Sequence, residues 1–164
     1  MSILKALATN KLKLSLFIIS FILFIVIMGA ATFKISPLTW NIFNSVNIEN
    51  DIAIKSADPV AYFKQQTFSK GIDTYSTQYK NVTWKFSSEA NKAAFIASPE
   101  KYIPQYGGYC ATAVSKNLTA DINPQYWLVI NNKLYLFFNE DAQKEWSNLA
   151  KEDSILIADK NWTM

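Results

Sequence analysis

The sequence predicts an α+β protein: an N-terminal transmembrane helix followed by one small domain with a short antiparallel sheet and peripheral helices. Three observations lead there. An uncharged apolar run extends from Leu14 to Ala31 (LSLFIISFILFIVIMGAA). Val82, Trp84 and Phe86 alternate with Thr83 and Lys85 and are followed at once by an alanine-rich stretch with helical character. Two β-rich pieces then flank Asn131-Asn132 and lead into an acid-headed amphipathic segment. Period 2 marks a half-buried strand, and each strand piece here passes directly into a helix.

The apolar run comes first. As an α-helix its length approaches the thickness of a bilayer's hydrocarbon core, about 30 Å. It is rich in Leu, Ile, Phe and Val, each favouring insertion by about 0.3–0.6 kcal/mol near the helix centre. Every one of the 16 basic residues is lysine, since the chain contains no arginine. Lys5, Lys11 and Lys13 precede the run, all 13 acidic residues follow it, and the remaining lysines balance those acids. The formal charge of +3 therefore belongs to the N-terminal flank. By the positive-inside pattern, residues 1–13 are a cytoplasmic basic flank and residues 14–31 an inner-membrane anchor. The C-terminal domain then lies outside, in a bacterium the periplasm. Gly29-Ala30-Ala31 also offers a small-residue cleavage site, so a secretory signal is the alternative. The run is longer than the usual signal core, which favours the anchor.

Residues 32–57 read as a stalk, because Asn and Ser interrupt short apolar pieces without a sustained stripe. The domain proper is expected over 58–164. Asp58-Pro59 marks a turn, and 60–63 a short helix or tight turn. Residues 65–80 are polar, with Gly71 and Asp73 as turn residues. Asn81 starts the strand Val82 to Phe86, and Ser87-Ser88 supplies the N-cap of a helix from Glu89 to Ala97. On that helix Ala90, Ala93 and Ala94 are the small packing positions and Phe95 the large one. Ser98-Pro99 ends it, and Pro99 can open one further turn through Tyr102. Residues 104–115 (PQYGGYCATAVS) hold two of the three glycines beyond the apolar run, two tyrosines and the only cysteine. Gly107-Gly108 serves either positive φ or a close backbone approach. A hairpin follows, Tyr126 to Ile130 and Lys133 to Phe138, joined by Asn131-Asn132. Asn139 then caps a helix from Glu140 to Ala150. A last short helix over 154–162 docks Ile155, Leu156 and Trp162.

Several of these blocks, in this order and spacing, carry a resemblance. They are DPVAYF at 58–63, YKNVTWKFSSEANKAAFIASPEKYIPQYGGYCATAVS at 79–115, WLVINNKLYLFFN at 127–139 and IADKNW at 157–162. Together they resemble the YHS domain-containing proteins, in the secreted or membrane-anchored bacterial branch, over roughly residues 51–162. The resemblance implies a fold neighbourhood and little mechanism. The wider group includes metal-associated domains with a cysteine pair in the form F-C-S-x-x-C-x-x-x-F. The matching segment here keeps Phe86 and Phe95 but carries Ser87 and Asn91 at the two cysteine positions, and Ala61 where a cysteine often follows Asp-Pro-Val. Ser and Asn are poor ligands for soft metals, so the thiolate site of those relatives is absent.

Composition narrows the chemistry. Histidine is absent and Cys110 is the single cysteine, so no intrachain disulfide and no soft tetrahedral metal sphere can be assembled. The commonest general base is missing as well, and no G-x-S-x-G elbow is present. A domain without excess positive charge and without arginine does not suit nucleic acid. Two acidic groups, Glu140-Asp141-Glu145 and Glu152-Asp153-Asp159, read as solvated helix faces rather than metal sites. The tentative ligand-binding set is Cys110, Tyr109, Gly108, Gly107, Tyr106, Trp84 and Asp58, with Trp127 as a further aromatic that could line a pocket. For each there is a plainer reading: strand aromatics usually pack in cores, Asp58 beside Pro59 suits a turn, and free cysteine is usually buried. The sequence thus points to a membrane-tethered, non-catalytic binding module for a small ligand or a protein partner. The alternative is a redox or soft-metal (copper-type) accessory in which Cys110 forms mixed disulfides or pairs across a dimer to bind the metal. No cofactor and no catalytic or metal-ligating residue is assigned.

Overall fold

The computed structural model of the chain describes residues 2–40, 44–148 and 151–162, with side chains described from residue 13 onward except at 151–152. The chain forms two compact units, Met1–Ile35 and Ser36–Met164.

The first unit is a single helix, α1 (Ser2–Thr32). Its stretch Lys13–Thr32 has a mean hydropathy of 2.8, and none of its residues is buried. Among the described residues it is the one helix long and apolar enough to cross a membrane, a test that a secretory signal also passes. The helix ends in a Schellman closure: Ile35 N–H donates to Ala30 O at 2.8 Å, Lys34 N–H donates to Ala31 O at 3.3 Å, and Lys34 takes a left-handed φ of 51°. Apolar composition makes this helix, and carbonyl satisfaction terminates it.

The second unit is α+β, as its sequence predicts. It begins with β1 (Ser36–Pro37), a 3₁₀ turn at Leu38–Trp40, β2 (Ile48–Glu49) and β3 (Ile52–Ala53). A left-handed turn follows, Ile54, Lys55 and Ser56 having φ of 42°, 55° and 64°. Ile54 is fully buried in that conformation, which for a β-branched residue is unusual. Next come α2 (Ala61–Lys64), β4 (Ile72–Tyr79), β5 (Val82–Phe86), α3 (Glu89–Ala97) and α4 (Pro99–Tyr102). The chain continues through a 3₁₀ turn at Gln105–Gly108, α5 (Ala111–Ser115), β6 (Leu118–Thr119), β7 (Trp127–Ile130), β8 (Lys133–Leu136), α6 (Glu140–Asn148) and α7 (Lys151–Asn161).

Among the described residues the strands form three small sheets: β1-β6, β2-β3-β5-β4 and β7-β8. The pairings are antiparallel apart from β3-β5, where Ile52 faces Thr83 in parallel. Strand β5 alternates buried and half-buried residues as its period requires. The two-residue hairpin turns each place both residues at positive φ, Asn50-Asp51, Lys80-Asn81 and Asn131-Asn132, as such connections demand. Ser88 caps α3 by accepting from Asn91 N–H at 3.2 Å, and Asn139 caps α6 by accepting from Ala142 N–H at 2.9 Å. Two aromatic clusters fill the core. Phe95 meets Trp84 and Phe86 at ring-centre distances of 5.2 and 5.1 Å, while Trp146 meets Tyr135 and Phe137 at 5.5 and 6.0 Å.

Four expectations are corrected. Residues 36–57 are not a stalk. Ser36, Leu38, Asn47, Ala53, Ile54 and Ala57 are all buried in the domain. Their backbone bonds go to distant loops, Leu38 N–H to Asn117 O and Asn47 N–H to Gly107 O, so no local period announces them. The polar stretch 65–80 contains β4, an edge strand that is mostly exposed and so lacks an apolar stripe. On α3 the buried pair is Asn91 and Phe95, one turn apart, and Ala90 and Ala93 face solvent. On α7 Ser154 and Ala158 form the buried face, and Leu156 is 70 % exposed because it lies about 200° round the helix from Ser154. The expected end of the preceding helix at Ala150 lies outside the described residues.

Candidate functional site

The segment singled out by its glycines is a left-handed turn. Tyr106, Gly107 and Gly108 have φ of 55°, 60° and 79°. Both readings of the pair hold together. A Cβ on Gly107 would stand 1.9 Å from Ser45 O, and one on Gly108 would stand 2.5 Å from Ile54 Cγ2. The turn needs positive φ, and two other segments press against it. Asn47 ties it down: its N–H donates to Gly107 O at 2.8 Å, and its Nδ2 donates to Gly108 O at 3.3 Å and to Asp121 Oδ1 at 3.0 Å. Asp121 in turn pairs with Lys55 at 2.7 Å.

This turn forms one side of a cavity of about 400 Å³. Tyr106 and Gly107 face it from the turn, Trp84 from β5, and Asp159 and Trp162 from the end of α7 and just beyond it. Val46, Ile103 and Pro104 add apolar surface, and Tyr79, Lys80 and Glu100 stand on the side of the β4–β5 hairpin and α4. The Tyr106 hydroxyl donates to Asp159 Oδ1 at 2.9 Å, and the Tyr106 and Trp162 rings meet at 6.0 Å and 64°. Across the lining, the Tyr79 hydroxyl donates to Glu100 Oε1 at 2.5 Å, and Lys80 Nζ reaches the same oxygen at 2.9 Å. Lys80 Nζ also stands 5.4 Å from the centre of the Tyr79 ring.

The electrostatics follow from these contacts. Burial, and next the Asp159 carboxylate, push the Tyr106 hydroxyl far above the ordinary tyrosine range. Hydrogen bonds from Tyr79 and then Lys80 hold Glu100 below the usual carboxylate value, and Glu100 correspondingly raises Lys80. The lining therefore presents neutral phenols beside the Lys80–Glu100 ion pair and the Asp159 side chain. A few hundred Å³ with aromatic walls and a few polar groups is the usual character of a small-molecule site.

Of the residues picked out from the sequence, the structure brings Trp84, Tyr106 and Gly107 to this cavity. Gly108, Tyr109 and Cys110 lie outside its lining. Gly108 packs against Ile54 and Pro104. Tyr109 is buried, with its hydroxyl donating to Asn44 O at 2.9 Å; burial, then the Asp121 charge, push that hydroxyl up to about 12. Cys110 is 2 % exposed, its N–H donates to Ala120 O at 3.0 Å, and it bridges to Leu136 of β8. Burial pushes its thiol up, outweighing the backbone N–H groups of Ala113, Phe138 and Thr112 and the charge of Lys116. A reactive thiolate needs the opposite environment.

Asp58 does not line the cavity and serves as the hub of a buried hydrogen-bond cluster. Oδ1 accepts from Val60 N–H at 2.9 Å and Ala61 N–H at 3.2 Å, and Oδ2 accepts from Ser87 N–H, Ser87 Oγ and Asn91 Nδ2 at 2.8, 2.7 and 2.7 Å. Trp127 also lies elsewhere: its ring meets Tyr62 at 5.1 Å, tilted by 53°, and it borders a second hollow beside the β7–β8 hairpin.

The sequence reading missed Val46, Tyr79, Glu100, Asp159 and Trp162 as cavity residues. Four separate segments supply them, so no local motif joins them. The one usable signal was the IADKNW block, which carries Asp159 and Trp162 on the same stretch. No family model matches the chain, and neither the curated proteins nor the solved structures contain a match.

Proposed function

We propose that this chain is a membrane-tethered, non-catalytic binding module of YHS type that holds a small molecule in the cavity between the Tyr106–Gly107 turn, β5 and the end of α7. The observation that carries the proposal is the cavity: about 400 Å³, walled by Trp84, Tyr106 and Trp162, with polar groups of both charges at its edge. An extracytoplasmic position for the domain rests on the lysines that precede the apolar helix and on the charge balance beyond it. The enclosed, weakly acidic thiol of Cys110 favours binding over a thiol-redox role.

The test uses the full chain reconstituted in nanodiscs. A panel of small aromatic, heteroaromatic and amine probes is screened by ligand-observed NMR, with tryptophan fluorescence as the second readout. Binding by at least one class, lost in Trp162→Leu without loss of the thermal transition, is the expected outcome. No binding across the panel, or binding that Trp162→Leu leaves unchanged, overturns the reading. For orientation, alkaline phosphatase fused to the C-terminus should be active in intact bacterial cells; an inactive fusion would place the domain on the cytoplasmic side.

A further inference from the structure

We propose that the molecule held in this cavity carries an organic ammonium group, with the Asp159 carboxylate as its counter-charge and the Tyr106 and Trp162 rings as its aromatic faces. The inference rests on the binding reading above and deepens it. It starts from charge bookkeeping inside the lining. Among the described residues three charged side chains border the cavity, Lys80, Glu100 and Asp159. Lys80 and Glu100 compensate each other at 2.9 Å. Asp159 has no cationic partner among the described residues, and its contact is the Tyr106 hydroxyl at 2.9 Å. The lining thus carries one carboxylate more than it neutralises.

Hydrogen-bond valence points the same way. Both tyrosine hydroxyl protons are committed to carboxylates, Tyr79 to Glu100 and Tyr106 to Asp159, and the Trp84 indole N–H donates to Tyr79 O at 3.3 Å. These three groups have no proton left for a ligand. What remains open around Asp159 is acceptor capacity, which suits a donor or a cation and repels an anion.

The rings supply the third argument. Tyr106 and Trp162 stand 6.0 Å apart at 64°, two walls of a corner, and Trp162 follows Asp159 by three residues at the end of α7. Aromatic faces beside a carboxylate attract alkylammonium ions through the ring quadrupole, and here the carboxylate is exposed, the Trp162 ring half-buried and the Tyr106 ring buried. The protein already makes this kind of contact at the rim, where the Lys80 ammonium lies 5.4 Å from the Tyr79 ring centre and bonds Glu100. Asp159, Tyr106 and Trp162 repeat the combination of carboxylate and ring with no ammonium of the protein's own among the described residues.

Such a group could come from a free solute or from a lipid headgroup, and the experiment separates the two. The full chain is placed in nanodiscs of phosphatidylglycerol, which lacks an ammonium, and titrated with choline at constant ionic strength. Its neutral carbon isostere, 3,3-dimethylbutan-1-ol, is titrated in parallel, with tryptophan fluorescence and ligand-observed NMR as readouts. Choline should bind about tenfold or more tightly than the isostere, and Asp159→Asn, which keeps an acceptor for Tyr106, should cut that preference severalfold, the rings retaining the remainder. Trp162→Leu should weaken choline about tenfold with the charge intact, which protects the test should Asp159→Asn fail to fold. Repetition in nanodiscs containing phosphatidylethanolamine identifies the source: loss of choline binding marks the headgroup as occupant, and unchanged binding marks a free solute. Equal affinity for choline and its isostere, or a preference that Asp159→Asn leaves unchanged, overturns the ammonium assignment while leaving a binding cavity. Failure of both ligands and of the whole probe panel removes the binding reading and this inference together.

Discussion

Removal of the Asp58 carboxylate should be among the most damaging single changes outside the aromatic core. Its two oxygens accept five hydrogen bonds from α2, the start of α3 and the residue after β5, and it is fully buried. Asp58→Ala strands all five donors, but not all equally. Ser87 is exposed, so water can reach its N–H and hydroxyl. Val60 N–H, Ala61 N–H and Asn91 Nδ2 belong to residues that are at most 2 % exposed. Each unsatisfied buried donor costs about 1–3 kcal/mol, so the three together predict a loss of roughly 3–9 kcal/mol. A domain of ordinary stability, about 5–15 kcal/mol, would lose a large share of it. Asp58→Asn should cost less, about 1–3 kcal/mol. There the Asn91 amide can turn over and the Ser87 hydroxyl can accept, while the Ser87 N–H cannot adapt. The assay is urea unfolding of the full chain in mild detergent, followed by tryptophan fluorescence. Because the Asp58–Asn91 bond is lost in Asp58→Ala and in Asn91→Ala alike, the double change should cost clearly less than the sum of the two single changes. An Asp58→Ala protein within about 0.5 kcal/mol of the parent, or strict additivity in the pair, would refute the hub assignment.

Further outcomes follow from the same contacts. Gly107→Ala forces a Cβ to within 1.9 Å of Ser45 O at a φ of 60°, so beyond a conformational cost of about 1–3 kcal/mol it should displace residues 44–47. Limited proteolysis should then cut that segment sooner, and a variant with the parent's melting temperature and cleavage pattern would contradict the close approach. The Cys110 thiol, buried and raised, should react with a maleimide on the order of 100-fold more slowly in the folded chain than after denaturation at neutral pH; equal rates would mean an accessible thiol. Burial first, and then Asp121 for Tyr109 and Asp159 for Tyr135, push both hydroxyls up to about 12. A tyrosine raised in the folded state contributes stability that is complete below the unfolded value near 10 and is lost as pH climbs through the folded one. Denaturant midpoints should therefore fall between pH 10 and 12, with phenolate absorbance appearing abruptly on unfolding. A smooth titration of all tyrosines near pH 10 would disprove the burial.

Sequence alone determined the features whose signal is local. The apolar run of α1, the alternation of β5, the capped start of α3, the Asn-Asn hairpin turn and the acid-headed α6 each depend on residues within a few positions of one another, and each stands where the pattern puts it. Backbone demand at Gly107 and Gly108 was legible for the same reason, because adjacent glycines beside bulky tyrosines announce special geometry. Tertiary structure decided everything that depends on meeting a distant segment. Residues 36–57 look like a linker until Asn47 is seen bonding the glycine turn and Ile54 packing beneath it. Asp58 reads as a turn residue until Ser87 and Asn91, some thirty positions later, close on its carboxylate. Cys110 and Tyr109 share a motif with Tyr106 and Gly107, yet the chain turns between them, sending the first pair into the core and leaving the second pair at the cavity. That cavity is walled by side chains from segments as far apart as Val46 and Trp162. A periodic pattern records which face of an element is apolar; which other element covers that face is settled only by the packing of the whole domain.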